Sequence, residues 1–256
     1  MRRTGLLASM AWLLLSGISY AQNTSVIAGG PHDLSTGSAL RNSANLTINT
    51  QTCVYCHVPH SGSNNLPLWN RATPTTAYSP YSSSTSAVTA TSAAIQASLS
   101  GACLSCHDGS IAMDVLTNVN GLPFGTLPTN GQVAFTKQVG AKSTYSNGGT
   151  GTNNVMTGGL PFLGSDLRND HPVAIVYQTA QTADTTHYTT VSTSGAKIYI
   201  ANVNGNLPLY GSTAGAATVE CSSCHDAHNN SVNGTNGGFL RVSNAGSAMC
   251  KTCHIK

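Results

Sequence analysis

Charged side chains are scarce in this chain of 256 residues, at 7% of the total, whereas soluble domains usually carry about a quarter. Large apolar aromatics are also few, with four Phe and two Trp, while Gly, Ser, Thr and Asn are abundant. A helical bundle is therefore not expected, because strong helix formers are few and turn formers are many. We predict mostly irregular structure, with loops outnumbering a few short helices and one small β-hairpin.

Long hydrophobic runs are absent beyond the N-terminus, so no membrane span is predicted. Residues 1–21 contain Arg2 and Arg3, then a short apolar stretch and a small-x-small triplet that ends at Ala21. This is the pattern of a secretory signal peptide. We expect residues 22–256 to form a single domain of a secreted protein, extracellular or at the cell surface, with the periplasm as the alternative.

The formal net charge is only +3, which gives no basis for nucleic-acid binding. Sparse charge also bears on protein partners, because transient docking usually relies on charged patches for steering. Few such patches are available here, which favours permanent contacts between subunits.

Cysteine is the exception to this plain composition, because all eight cysteines fall in four C-x-x-C-H pentapeptides. The eight thiols are Cys53, Cys56, Cys103, Cys106, Cys221, Cys224, Cys250 and Cys253. C-x-x-C-H attaches c-type haem, with two thioethers to the porphyrin and the following histidine on the iron. The sequence therefore predicts four covalently attached haem c groups, with His57, His107, His225 and His254 as their first iron ligands.

The cysteines have two simpler interpretations, a zinc site and local disulfides. Pairs of C-x-x-C can build a four-thiolate zinc site, but zinc does not require a histidine after every second cysteine. Local disulfides would each close a very small loop and would stabilise the chain little. Four haems also supply what the composition lacks, because the chain can wrap around the porphyrins as its core. Their propionates add negative charge, so we expect the loaded protein to be acidic.

Five further histidines remain as candidates for the second iron ligand, and four of them would saturate every iron. His60 follows His57 by three residues, on the same side of the ring, so it cannot complete the iron that His57 binds. It reaches a different haem or has no ligand role, and reaching one would bring two haems almost into contact. His228 stands in the same relation to His225.

Two other candidates lie away from the motifs. His171 precedes Pro172, which favours extended backbone and a rigidly held side chain. His32 lies in a polar N-terminal arm. We predict the distal ligands to be His32, His60, His171 and His228.

His187 is then the spare histidine, on the first strand of a predicted hairpin at 186–191 and 197–203. Met113, Met156 or Met249 could replace one distal histidine. Irons that each have two histidine ligands indicate an electron carrier with no catalytic residues. A reductase is the less favoured interpretation, because it needs an iron with an open site.

Several segments together resemble a known family. They are the His32-Asp-Leu-Ser arm, the Cys-His-x-x-His form at two motifs, the Asn169-Asp-His171-Pro-Val segment, and the tail from Cys221 to His254 with its Phe-Leu-Arg link. They are similar to the extracellular, filament-forming tetrahaem cytochromes of metal-reducing bacteria, the OmcE type. The resemblance extends over most of residues 22–256 through these motifs, and the long Gly/Ser/Thr loops carry no part of it.

That resemblance implies a row of closely stacked bis-histidine haems in a polymer of identical subunits. It also implies that each subunit lends an N-terminal histidine to a haem of its neighbour, and the matching position is His32. Redox-partner cytochromes and extracellular electron acceptors would be its partners. A monomeric periplasmic tetrahaem shuttle with the same chemistry is the alternative function.

Overall fold

The structure is a computed structural model that describes residues 27, 32–34, 52–58, 68–111, 116–117, 156, 161–201, 205–228 and 239–255. The predicted signal peptide, His60 and Met113 lie outside the described residues. Within these ranges, no helix is both long and apolar enough to cross a membrane.

Regular structure comes only in short pieces. The helices are α1 (Ser92–Ala97), α2 (Leu99–His107), α3 (Tyr177–Ala183), α4 (Cys221–Cys224) and α5 (Cys250–Cys253), with single 3-10 turns at Cys53–Tyr55, Ala214–Ala216 and Ala245–Ser247. The strands are β1 (Ser79–Pro80), β2 (Asp166–Leu167), β3 (Ile175–Val176), β4 (Val191–Ser194), β5 (Lys197–Ile200), β6 (Leu207–Leu209) and β7 (Thr218–Val219). The predicted fold class, short helices and a small hairpin among loops, is confirmed.

Three small sheets hold the described part of the chain together. β1 pairs in parallel with β2, β3 pairs antiparallel with β7, and β4, β5 and β6 form an antiparallel sheet in that order. Ile200 pairs with Leu207 and Ile198 with Leu209 across β5 and β6, and all four side chains are buried. This alternation along the strands turns one face of the sheet into the core.

A core cluster of the described residues joins this sheet to the second C-x-x-C-H motif. Ile200 and Val219 from the strands belong to the same cluster as Ile95 of α1 and Leu104 of α2. Leu104 lies between the two cysteines of its motif, so the motif is anchored by its own middle residue.

Two details differ from the sequence-based expectation. The hairpin is present, but β4 begins only at Val191, so His187 precedes the strand instead of lying on it. A third strand, Leu207–Leu209, adds to the predicted two-stranded hairpin, despite Pro208 at its centre. Among the short helices, α1 and α2 follow one another directly but stay separate, because Ser98 is extended and its hydroxyl caps the second helix at Ser100.

Candidate haem-binding site

All four C-x-x-C-H motifs are helical between their two cysteines: a single short turn begins at Cys53, Cys221 and Cys250, and the second motif forms the C-terminal half of α2. In three of them the histidine N–H donates to the carbonyl of the first cysteine, at 2.8 Å for His57, 2.9 Å for His225 and 3.0 Å for His254. One turn places residues three apart on the same face. The two thiols of each motif therefore point to one side, as two thioethers to one porphyrin require.

None of the eight cysteines forms a disulfide, so the thiols are free for thioether bonds. Among the described residues, no three or more His, Cys, Asp and Glu side chains are gathered around one point as ligands of a single ion. Burial raises the pKa of Cys56 and that of Cys253 to about 12.

Three motif histidines each face a second histidine. The ring centres of His57 and His228 are 6.0 Å apart, those of His107 and His32 are 6.3 Å apart. For His254 and His171 the distance is 6.4 Å. His32, His171 and His228 are three of the four residues predicted as distal ligands, and each lies opposite a different motif.

These distances fit an iron between the two rings. A metal–imidazole bond of about 2 Å, with the ring centre about 1 Å further on, places the centres of two opposed ligands about 6 Å apart. Aromatic rings in direct contact have centres about 4.5 to 7 Å apart, so the distances agree with an iron between the rings without requiring one. The three pairs are therefore held at the separation that bis-histidine haem ligation needs.

Hydrogen bonds to Nδ1 leave Nε2 available to iron at two of these histidines. The Nδ1 atom of His107 lies 2.7 Å from the carbonyl oxygen of Pro161, and that of His171 lies 3.0 Å from the oxygen of Pro172. An N–H donated to a carbonyl fixes the tautomer and the ring orientation, as is usual for metal-binding histidines. Burial, with a smaller contribution from His107, lowers the pKa of His32 to about 4, so its ring is neutral.

The first and third motifs are built as equivalent modules. In each, a bulky residue with positive φ, Leu68 or Phe239, accepts a hydrogen bond from the residue after the motif histidine. Two positions later, the N–H of Asn70 or Arg241 donates to the carbonyl of the second cysteine. The side chains of these two residues also correspond, because each donates to the carbonyl of the residue after the first cysteine.

This equivalence bears on His60, which is not among the described residues. His228 of the third module lies opposite His57 of the first. The role of His60 as a distal ligand therefore stays a prediction.

Two buried polar contacts, not anticipated from the sequence, join the motifs. Arg71, 1% exposed, donates from Nε to the hydroxyl of Ser105 and from Nη2 to its carbonyl, both at 3.0 Å. Glu220 precedes the third motif and accepts hydrogen bonds from Ser100 at the start of α2. The modules do have a sequence signal, because an apolar residue followed by Asn or Arg recurs after each His-x-x-His. A single residue such as Glu220 has no such signal.

His187 is placed apart from the paired histidines. Its side chain is exposed, and its Nδ1 lies 2.9 Å from a carboxylate oxygen of Asp184. Within the described part of the chain, its ring faces no motif histidine, in keeping with its role as the predicted spare.

Residues 214–256 match the family model described as the doubled CXXCH motif. This segment carries the paired haem-attachment motif of multihaem c-type cytochromes. The match spans the third and fourth motifs of the chain, and covalently bound haem c is what such motifs indicate. No curated protein matches the chain.

Proposed function

We propose that the chain is an electron carrier that holds four covalent haems, each with two histidine ligands. The observation that carries this proposal is the set of three opposed imidazole pairs at 6.0, 6.3 and 6.4 Å. The haems supply the one-electron chemistry. The protein holds them in place, sets their potentials through ligands and nearby charge, and keeps exogenous ligands away from the irons.

The ligand pairs in this proposal are His57 with His228, His107 with His32, and His254 with His171, and the equivalence of the modules adds His225 with His60. In this scheme the third module provides the distal histidine of the first haem, and the first module provides the distal histidine of the third haem. Such an exchange ties two distant parts of the sequence to each other through iron. Every iron is then six-coordinate, which favours electron transfer over a reductase with an open site.

The three ring pairs differ in the angle between their planes, which predicts a spectroscopic signature. The rings of His57 and His228 are inclined by 18°, whereas those of His107 and His32 are inclined by 89°. Near-parallel ligand planes give low-spin ferric iron a rhombic electron paramagnetic resonance spectrum, and near-perpendicular planes give a strongly anisotropic one. We expect both types in the oxidised protein. A spectrum with a single type would contradict the ring geometry.

We further propose that the subunits assemble into a filament, as the family resemblance implies. Low surface charge and the N-terminal position of His32 support this proposal. Within one chain His32 already lies opposite His107, so the filament would form the same contact between neighbours, by exchange of the arm. The 17 residues between 34 and 52 could span up to about 60 Å, so the arm is long enough for either arrangement.

Electron microscopy of the loaded protein tests assembly, with His32→Ala as the variant and His187→Ala as the control. Exchange of the arm predicts filaments for the wild type and the control, and single subunits for His32→Ala. Ligation by His32 within one chain and ligation between neighbours both predict one high-spin iron in His32→Ala. The images therefore decide between the two schemes. Wild-type particles of single-subunit size would instead indicate the monomeric shuttle. Filaments formed by His32→Ala would exclude a role of His32 as a ligand between subunits.

A further inference from the structure

The single glutamate of the chain, Glu220, is buried between two haem-attachment motifs. Only 3% of its surface is exposed, and it immediately precedes Cys221. On its other side is the start of α2, the helix that carries Cys103 and His107. The thiols of Cys103 and Cys221 themselves lie side by side, so this carboxylate is at the junction of the second and third motifs.

Three donors converge on the Glu220 carboxylate. Oε2 accepts hydrogen bonds from the N–H of Ser100 at 3.1 Å and from its hydroxyl at 2.5 Å, and Oε1 accepts one from the hydroxyl of Thr218 at 2.6 Å. An ionised carboxylate has only acceptors, so this arrangement suits the anion. The N-terminus of α2 stabilises a negative charge at the same place.

No cationic side chain of the described residues forms an ion pair with this carboxylate. In the described ranges, the four ion pairs involve Asp166, Asp184 and Asp226, and none involves Glu220. Its hydrogen-bond donors are neutral. Because the site is buried, the field of the charge is screened much less than that of a surface carboxylate.

We infer that Glu220 sets the reduction potentials of the haems held by the second and third motifs, and holds both of them low. A buried negative charge favours the ferric over the ferrous state, since oxidation adds one positive charge to each iron. The inference rests on the proposed haem ligation and goes beyond it by assigning a residue that binds no iron. Glu220 is thus a tuning residue at the contact between two neighbouring haems.

The consequence for electron flow is a difference in reduction potential between haems of the same subunit. Electrons are less stable on the two haems next to Glu220 than they would be beside a neutral side chain. Arg71 brings the opposite charge to the contact between the first and second motifs, where it hydrogen-bonds to Ser105. The two buried charges therefore grade the potentials along the protein, with the first haem favoured over the third.

The test is a spectroelectrochemical titration of the loaded protein with Glu220→Gln. The amide keeps the size of the side chain and removes the charge. We expect two of the four one-electron components to rise, each by about tenfold in the ratio of reduced to oxidised haem at a fixed potential, or about 59 mV. The other two components should stay within error. Asp166→Asn is the matched control, because it removes an exposed carboxylate charge and should shift no component.

A second variant keeps the inference open to refutation if Glu220→Gln fails to fold. Ser100→Ala removes the hydrogen bond from the hydroxyl to the carboxylate but keeps the one from the backbone N–H and the charge itself, so no component should rise. Unchanged potentials in Glu220→Gln, an equal shift of all four, or a matching rise in Ser100→Ala would each overturn the inference. Haem content is measured first, because a wild type with fewer than four haems contradicts the proposed function instead.

Discussion

Replacement of His228 by Ala is expected to convert one of the four irons to a high-spin form while all four haems stay attached. The thioethers do not depend on His228, so covalent haem content should not change. Its ring, however, is the one opposite His57, at 6.0 Å, and its removal opens the sixth position of that iron. The reduced variant should therefore bind carbon monoxide at one haem per chain.

The matched control is His187→Ala. His187 is close in sequence to a segment that contacts a C-x-x-C-H motif. Its side chain is exposed, however, and its ring faces no motif histidine among the described residues. Its removal should leave the visible spectrum entirely low-spin. A His228→Ala protein that remained fully low-spin, or a His187→Ala protein that bound carbon monoxide, would contradict the ligand pairs.

The second large effect concerns folding, because the chain without haem is expected not to fold cooperatively. Twenty apolar residues are buried in the described part of the chain, and four of these are alanine. Helices of four to nine residues and two-stranded sheets are marginal in isolation. The proposed haems would supply the apolar surface that such short elements lack.

Replacement of all eight cysteines by Ala tests this expectation, with the wild-type sequence produced without haem attachment as a control for the substitutions themselves. Both haem-free proteins should show no cooperative thermal transition by circular dichroism and should be cut rapidly by protease, whereas the loaded protein resists both. A sharp transition in either haem-free protein would show that the polypeptide core is sufficient.

Sequence reasoning was most successful where chemistry imposes a short pattern. The four motifs follow from cysteine spacing, and the histidines left over gave His32, His60, His171 and His228 as predicted distal ligands. The rings of His32, His171 and His228 lie 6.0 to 6.4 Å from rings of motif histidines, and His60 lies outside the described residues. Sequence reasoning could not say which pairs with which, because pairing depends on the packing of segments far apart in the chain. His228 and His57 are separated by more than half the sequence.

Tertiary contacts also explain what the sequence left out of the fold. The strand Leu207–Leu209 contains a proline, which usually argues against a strand, yet Pro208 pairs at the edge of its sheet beside Tyr199. The break between α1 and α2 depends on the backbone of Ser98. Glu220 and Arg71 were missed because a buried charge is recognised only once its surroundings are known.

Titration of the reduced wild-type protein with carbon monoxide, on a sample whose haem content has been measured, tests the central claim most directly. Two histidines on every iron predict four haems per chain, a fully low-spin spectrum and no carbon monoxide binding. Rapid binding at one haem of the intact wild type would reveal an open iron. The chain would then have the site that a reductase requires, and the proposal of a pure electron carrier would be wrong.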